Sequence, residues 1–162
     1  MKNWYFFREA MKSFRTTGSI TSSSKALIKK LVEPLPTHRP LVIVELGPGD
    51  GCVTHAILKK VHSGSSVTAF EINTVFVEKL SVIQDSRLRV LSVGAERLTD
   101  YFEAGTVDYV VSSLPLSMIP KEIKEAILKQ SQLVLRPGGG SCSFSMPCRT
   151  TDYSRITLTG YR

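Results

Sequence analysis

The sequence is poor in the features that would mark a membrane, secreted or metal-binding protein. Its 162 residues include only three cysteines, Cys52, Cys142 and Cys148, without the paired spacing of a metal site or a disulfide framework. We therefore predict reduced thiols and no bound metal. No run of about 18 apolar residues is present to span a membrane, and the N-terminus lacks an apolar signal core. These absences predict a cytoplasmic protein.

Acidic residues are scarce in the first quarter of the chain. Residues 1–40 hold eight Lys or Arg and two Glu, whereas residues 41–162 hold thirteen basic and twelve acidic side chains. With 42% hydrophobic and 22% charged residues, the chain has the composition of one globular domain. We predict a single domain over 1–162, with a basic helical N-terminal segment (1–40), a cofactor-binding core (41–146) and a short remainder (147–162).

Glycines are concentrated at one junction between a strand and a helix. Leu41–Val44 is a continuous apolar run, which is typical of a strand covered on both faces. Gly47, Gly49 and Gly51 follow, and Cys52–Lys60 has helical spacing of apolar residues. Glycines let the chain turn sharply and let a ligand approach the backbone. The pattern therefore predicts a loop that holds a nucleotide-like cofactor.

The glycine spacing separates two cofactor classes. A dinucleotide fingerprint requires Gly-x-Gly-x-x-Gly, and here the third glycine, Gly51, comes one residue early. The pattern Glu45-x-Gly47-x-Gly49-x-Gly51 instead resembles motif I of class I S-adenosylmethionine-dependent methyltransferases. The resemblance implies that the three glycines shape the cofactor loop. It also implies that Glu45 and Asp50 support the methionine amino group of S-adenosylmethionine.

An acidic residue follows the next predicted strand at the spacing that ribose binding requires. Glu71 ends the apolar run Val67–Phe70 and lies 20 residues beyond Gly51. A carboxylate there is suited to accept hydrogen bonds from both ribose hydroxyls. Glu71 is therefore our candidate ribose ligand.

The rest of the chain alternates between helix and strand patterns. This alternation predicts an α/β, Rossmann-like methyltransferase sheet with helices on both faces. The predicted elements are a helix from Lys25 to about Glu33, a helix at Thr74–Val82, strands at Arg87–Val93 and Val107–Ser112, a helix at Lys121–Val134, a turn at Arg136–Gly140 and a strand at Ser141–Met146. The apolar residues of the two later helices are expected to point mostly inward: Val75, Phe76, Val77, Leu80 and Val82 in the first, and Ile123, Ala126, Ile127 and Leu133 in the second. Only Arg155–Thr159 alternates like a strand thereafter, so the C-terminal hairpin is predicted to be curtailed.

The adenine end of the predicted site departs from the family pattern. Many class I methyltransferases carry Asp after the third strand, where it accepts from the adenine amino group, and this chain has Gly94 there. Either Glu96 takes over that contact or the backbone alone serves. A further alternative is that Glu96 caps the short helix that runs to Phe102.

The segment after the fourth strand governs the choice of acceptor, because ligands bind at the carboxyl ends of parallel strands. Ribosomal RNA adenine dimethylases have an amide or acid, a proline and an aromatic residue here, whereas this chain has Ser113-Leu114-Pro115-Leu116. Without an aromatic platform at Leu116, a base would lose about 1–3 kcal/mol of stacking. An aliphatic amine needs no such platform.

This segment and the basic aromatic N-terminus together resemble bacterial phospholipid N-methyltransferases, from about Phe6 to Phe144. The resemblance implies methylation of a phospholipid amine such as phosphatidylethanolamine. It implies that Leu114 and Pro115 place backbone carbonyls beside the acceptor nitrogen, with Ser113 as a nearby hydrogen-bond partner. A nucleic-acid methyltransferase and a cofactor-binding module with little catalysis are the alternatives.

Partners are predicted from both ends of the chain. If residues 4–15 are helical, Trp4, Phe7, Met11 and Phe14 form a stripe beside basic residues, which suits an anionic or phosphatidylethanolamine-containing membrane surface. The same helix would equally suit packing against the domain's own core. At the other end, the curtailed hairpin indicates either a truncated chain or a sheet edge completed by another copy. A nucleic-acid partner is the less favoured expectation.

Overall fold

The protein is described here from a computed structural model, which covers residues 22–143 and 146–150. Within these residues six strands form one sheet in the order β3-β2-β1-β4-β5-β6, and only β6 runs antiparallel to its neighbour. The strands are β1 (Val42–Leu46), β2 (Ser66–Phe70), β3 (Leu88–Leu91), β4 (Val107–Ser112), β5 (Leu135–Ser143) and β6 (Met146–Thr150). The helices are α1 (Ser22–Val32), α2 (Cys52–Lys60), α3 (Thr74–Ser81) and α4 (Lys121–Val134), with 3-10 turns at Ala95–Asp100 and Leu116–Met118.

The central strands are apolar on both sides because hydrophobic cores cover both faces of the sheet. Ile43 and Val44 of β1 point to opposite faces and are each 0% exposed. Ile43 belongs to a core that includes Ile57 of α2, whereas Val44 belongs to a core that includes Ile127 of α4. The predicted Rossmann-like architecture is therefore confirmed, with β1 between β2 and β4 at the centre.

Element positions agree closely with the sequence pattern in the interior and less well at the edge. The bounds of α2, α4 and β4 match the predicted ones, while α1 begins at Ser22, before the predicted Lys25. The expectation that Val75, Val82 and Leu133 point inward is wrong, since they are 56%, 74% and 46% exposed. For Val75 and Val82 the reason is that α3 packs beside the edge strand β3, where the core takes up only one side of the helix.

The segment predicted as a turn before the fifth strand is part of β5. Leu135 pairs with Val107 and Gly140 pairs with Tyr109, so residues 136–139 bulge out of the ladder. A Cβ atom at Gly140 would lie only 2.5 Å from the ring of Tyr109. Gly140 is therefore needed to leave room for the Tyr109 ring. The prediction that these glycines only form a turn did not include this packing role.

The cysteine prediction is wrong for Cys142, which is disulfide-bonded, while Cys52 keeps a reduced thiol. Cys142 is 1% exposed on β5, next to positions that pair with the antiparallel strand β6. Antiparallel neighbours come within the Cα separation that a disulfide requires, a proximity that sequence spacing does not show.

Two predicted segments lie outside the described residues, namely the amphipathic helix over 4–15 and the strand at Arg155–Thr159. None of the helices in the described part of the chain has both the length and the apolar character needed to cross a bilayer.

Candidate functional site

A cleft opens at the carboxyl ends of four adjacent parallel strands, β3, β2, β1 and β4. Each of these strands is followed by a residue that lines the cleft: Gly47 after β1, Glu71 after β2, Gly94 after β3 and Leu114 after β4. Since all four strands run in the same direction, their following loops meet at one edge of the sheet. The cleft therefore lies where the sequence pattern places the cofactor.

The glycine loop is held in left-handed backbone geometry. Gly47, Gly49 and Gly51 have φ angles of +67°, +59° and +86°, which L side chains rarely adopt. The N–H of Gly47 donates to the Phe70 carbonyl at 3.0 Å, which ties the loop to the end of β2. A Cβ atom at position 47 would lie 3.1 Å from Cγ of Leu114 and collide with its Cδ2. Both backbone angle and packing therefore require glycine here.

Glu71 is buried, at 2% exposure, and its carboxylate binds backbone N–H groups. Oε2 accepts from Gly49 at 3.0 Å, and Oε1 accepts from Ile72 and Asn73, both at 2.9 Å. None of the ion pairs formed within residues 22–143 includes Glu71. Glu71 therefore fixes the glycine loop to the end of β2 while its negative charge has no cationic partner in this region.

Four of the residues predicted to bind the cofactor are not among those that line the cleft, namely Gly49 and Gly51 of the loop itself and the acidic residues Glu45 and Asp50. Glu45 is 0% exposed within β1 and accepts a hydrogen bond from Oγ1 of Thr54 at 2.7 Å, which joins β1 to α2. Asp50 is exposed, accepts from the N–H of Cys52 at 3.3 Å and borders a separate groove with His55 and Lys59. Both residues therefore support the start of α2 behind the loop.

Glu96 does line the cleft, beside Gly94 and Ala95. Its carboxylate lies over the Cα atom of Gly94, in the space that a side chain at position 94 would occupy. Among residues 22–143, no backbone group of the 3-10 turn donates to Glu96. Glu96 therefore does not cap that turn, and this alternative is wrong.

The loop after β4 brings one of the three predicted catalytic residues to the cleft. Leu114 lines it, whereas Ser113 and Pro115 are not among its lining residues. The carbonyl groups of Leu114 and Pro115 accept from the N–H groups of Leu116 and Met118, each at 2.9 Å. The Ser113 hydroxyl is buried and has no hydrogen-bond partner among the described residues.

Several lining residues were not identified from the sequence, although each has a recognisable position. Ile72 and Asn73 directly follow Glu71, and Val93 precedes Gly94. The remaining ones are apolar residues that read as ordinary core: Phe70, Phe76, Ala95, Ile119, Ile123 and Ile127. Because core and cleft wall use the same side chains, periodicity does not separate the two.

Comparison with known proteins agrees with this geometry. A family model described as a methyltransferase domain matches residues 43–139. An ornithine lipid N-methyltransferase from Singulisphaera acidiphila is 29% identical over 145 residues, which cover 86% of this chain and 76% of that protein.

Solved structures show the same fold at low sequence identity. The CurJ carbon methyltransferase superposes with a TM-score of 0.64 at 18% identity, covering 81% of this chain and 38% of that one. The phosphoethanolamine N-methyltransferase 2 of Haemonchus contortus, solved with phosphomonomethylethanolamine and S-adenosylhomocysteine, gives 0.58 at 20% identity, covering 72% and 27%. This chain thus spans less than half the length of either solved protein.

Proposed function

Because the chain belongs to the methyltransferase-domain family, with S-adenosylmethionine as its cofactor, we propose that it transfers a methyl group to the amine of a lipid headgroup. Phosphatidylethanolamine is the acceptor that we propose first. The ornithine lipid methylated by the Singulisphaera relative is the second acceptor of the same class.

The residues of the cleft fit this cofactor. Gly47 and Gly94 leave its wall without side chains at two positions, and the Glu71 carboxylate is a hydrogen-bond acceptor between them along the sheet edge. Such an acceptor suits a ribose diol, which donates two hydrogen bonds. When bound, S-adenosylmethionine supplies a sulfonium-activated methyl group, so no nucleophilic side chain is required of the protein.

The observation that carries the lipid-amine proposal is the loop after β4. Leu116 stands where base-methylating relatives have an aromatic ring, and it is 7% exposed within the hydrophobic core. It therefore offers no surface on which a nucleobase stacks. Leu114, Ile119 and Ile123 make the adjoining cleft wall aliphatic, which supports an acceptor whose reacting group is a small amine on an apolar molecule.

The chain's contribution to the reaction is positioning and exclusion of water. The attacking amine nitrogen must be neutral, so the ammonium first gives one proton to water. S-adenosylmethionine, when bound, would supply the methyl group and would leave as S-adenosylhomocysteine. The aliphatic wall favours the neutral amine, because burial disfavours an ammonium charge. The Ser113 hydroxyl, in the residue before Leu114, is buried without a hydrogen-bond partner among the described residues, and we assign it the role of hydrogen-bond partner to the amine.

The central experiment supplies radiolabelled S-adenosylmethionine with vesicles of phosphatidylethanolamine, ornithine lipid or phosphatidylcholine, and separately with structured RNA. We expect label in phosphatidylethanolamine and none in phosphatidylcholine, whose nitrogen is fully methylated. Label in ornithine lipid alone would keep the lipid-amine class and replace the acceptor. Label in RNA alone, or cofactor binding without transfer to any acceptor, would overturn the proposal.

Membrane association is the part of the proposal that concerns residues 4–15. Aromatic and basic side chains in this segment suit the headgroup region of an anionic bilayer. Replacing Trp4 and Phe7 together with Ala should reduce sedimentation with vesicles containing phosphatidylethanolamine and an anionic lipid. Replacing the exposed Leu133 with Ala is the matched control, and equal sedimentation of both variants would remove the interfacial role.

A further inference from the structure

The helical layers on the two faces of the sheet differ in charge. On one face, α1 and α2 together hold five lysines and no Asp or Glu. On the other face, α4 and the 3-10 turn at Ala95–Asp100 hold four basic and four acidic side chains. The domain is therefore cationic on one side of its sheet and balanced on the other.

The charges of these five lysines are not neutralised within the described part of the chain. None of the ion pairs formed there includes any of them. The acidic residues nearest in sequence, Glu33 and Asp50, lie just outside the two helices. Lys60 is partly buried, and the four exposed members are Lys25, Lys29, Lys30 and Lys59. An anionic partner can therefore approach their ammonium groups from solvent.

The two helices lie side by side, so their lysines form one surface, which we call the lysine face. Nζ of Lys60, at the end of α2, donates to the carbonyl of Glu33, just after α1, at 2.7 Å. Leu31 of α1 and Ile57 of α2 belong to the same hydrophobic core. Since α2 begins directly after Gly51 of the cofactor loop, the lysine face reaches the edge of the sheet at which the cleft opens.

We propose that the lysine face docks the protein on an anionic phospholipid bilayer. Each lysine near such a surface strengthens binding about fivefold. A bilayer also accepts apolar side chains at its headgroup boundary, and Leu27, between Lys25 and Lys29 in α1, is 45% exposed. A nucleic acid has no apolar phase for Leu27, and neither helix carries a Phe, Tyr or Trp on which a base stacks.

This docking surface is formed by α1 and α2 and does not include residues 4–15. The inference concerns binding to a bilayer alone and holds for any methyl acceptor. It is therefore tested without S-adenosylmethionine and without phosphatidylethanolamine, by sedimentation with vesicles of phosphatidylcholine and phosphatidylglycerol. Vesicles of phosphatidylcholine alone give the binding that does not depend on anionic lipid.

Replacing Lys25, Lys29 and Lys59 together with Gln removes three charges from the lysine face. We expect binding to the anionic vesicles to weaken roughly a hundredfold, with binding to phosphatidylcholine unchanged. Lys60 is retained because its hydrogen bond joins the two helices. The substituted side chains are exposed, so thermal unfolding should be the same as that of the unmodified protein.

The matched control removes the same number of charges from the opposite layer. Replacing Lys121, Lys124 and Lys129 of α4 with Gln gives the protein the same net charge as the first triple variant. We expect a loss of less than about threefold, because these charges face away from the bilayer and are screened by salt.

A second pair of variants tests the apolar contribution to docking. Leu27 of α1 and Leu133 of α4 are 45% and 46% exposed. Leu27→Gln should weaken binding to the anionic vesicles roughly fivefold, because Leu27 no longer gains from burial at the headgroup boundary. Leu133→Gln, on the opposite layer, should leave vesicle binding unchanged.

Three results bear on the proposal in different ways. Equal vesicle binding by the two triple variants would overturn it, because binding would then follow net charge and not the lysine face. Loss of binding to structured RNA with vesicle binding unchanged would also overturn it. Vesicle binding that depends on the lysine face, in a protein that methylates no lipid, would support this inference and remove the proposed acceptor.

Discussion

A buried carboxylate lies at each end of the parallel strands, and the two carboxylates have different kinds of hydrogen-bond partner. At the carboxyl ends, Glu71 accepts only from backbone N–H groups. At the amino ends, Asp108 of β4 is 4% exposed and pairs with Arg39 at 2.8 Å and Arg136 at 2.6 Å. Its second oxygen accepts from the N–H of Val42 at 2.8 Å.

This difference separates the carboxylate that we propose for ribose binding from a carboxylate that joins elements of the fold. Two guanidinium groups compensate the charge of Asp108 and join the segment before β1 and the start of β5 to β4. Glu71 keeps a charge that only N–H dipoles offset, at the edge where a ligand has access. Burial alone therefore does not distinguish their roles, whereas the kind of partner does.

The largest expected effect follows from removing the carboxylate at the amino ends. Asp108→Ala leaves two arginines and one buried N–H without their acceptor. Since both arginine side chains are more than one-third exposed, we expect a loss of about 3 kcal/mol in the free energy of unfolding, at the low end for a broken buried pair. Urea denaturation measures this loss. The affinity for S-adenosylhomocysteine should change less than about twofold in the folded variant, and a large change would break the contrast between the two ends.

Glu71→Gln should have the opposite pattern, with a large loss of cofactor affinity and a smaller loss of stability. The amide keeps the size of the side chain, but its charge is lost and its NH₂ group faces N–H donors. We expect the affinity for S-adenosylhomocysteine to fall roughly tenfold to hundredfold, with a smaller loss of stability of about 1–2 kcal/mol. Calorimetric titration and urea denaturation of the same sample give both values. Unchanged affinity would contradict the ribose role of Glu71.

Two glycines with left-handed backbone geometry differ in how closely other side chains pack against them. Gly47 and Gly138 both have positive φ, but Gly47 lies against Leu114 whereas an added Cβ at Gly138 meets nothing within 4 Å. Gly138→Ala should cost only about 1 kcal/mol of stability from backbone strain. Gly47→Ala should cost about 1–2 kcal/mol more and weaken cofactor binding. Adding Leu114→Ala to Gly47→Ala should recover part of the stability, and the absence of any recovery would argue against the steric contact.

The smallest effect concerns a third carboxylate, Asp85, which is partly exposed. The hydrogen bond from the Arg87 side chain lowers the pKa of Asp85 from 3.8 to about 2, and Arg87 also donates to the Leu58 carbonyl at the end of α2. A lowered pKa means that the ionised form stabilises the fold at pH above about 4, and that this stabilisation disappears as the pH falls towards about 2. The stability difference between the unmodified protein and Asp85→Asn should therefore vanish over that range. A difference independent of pH would assign it to hydrogen-bond geometry instead.

The sequence predicted the features that depend on local pattern. Apolar runs located β1, β2 and β4, and the glycine spacing with Glu71 located the cleft. Position along the chain did not indicate that Asp50 borders the groove on the far side of the loop, or that Glu45 turns towards Thr54. Those directions depend on how α2 packs, and the extent of β5 depends on a ladder with β4 that is distant in sequence.

The contact between Gly47 and Leu114 also constrains how this protein changes by substitution. Any Cβ atom at position 47 would meet the Leu114 side chain, so positions 47 and 114 form one steric unit. Under the proposed function this unit joins the cofactor loop to the acceptor loop. A new acceptor loop grafted onto this scaffold is then expected to need a residue at 114 that packs against a glycine at 47.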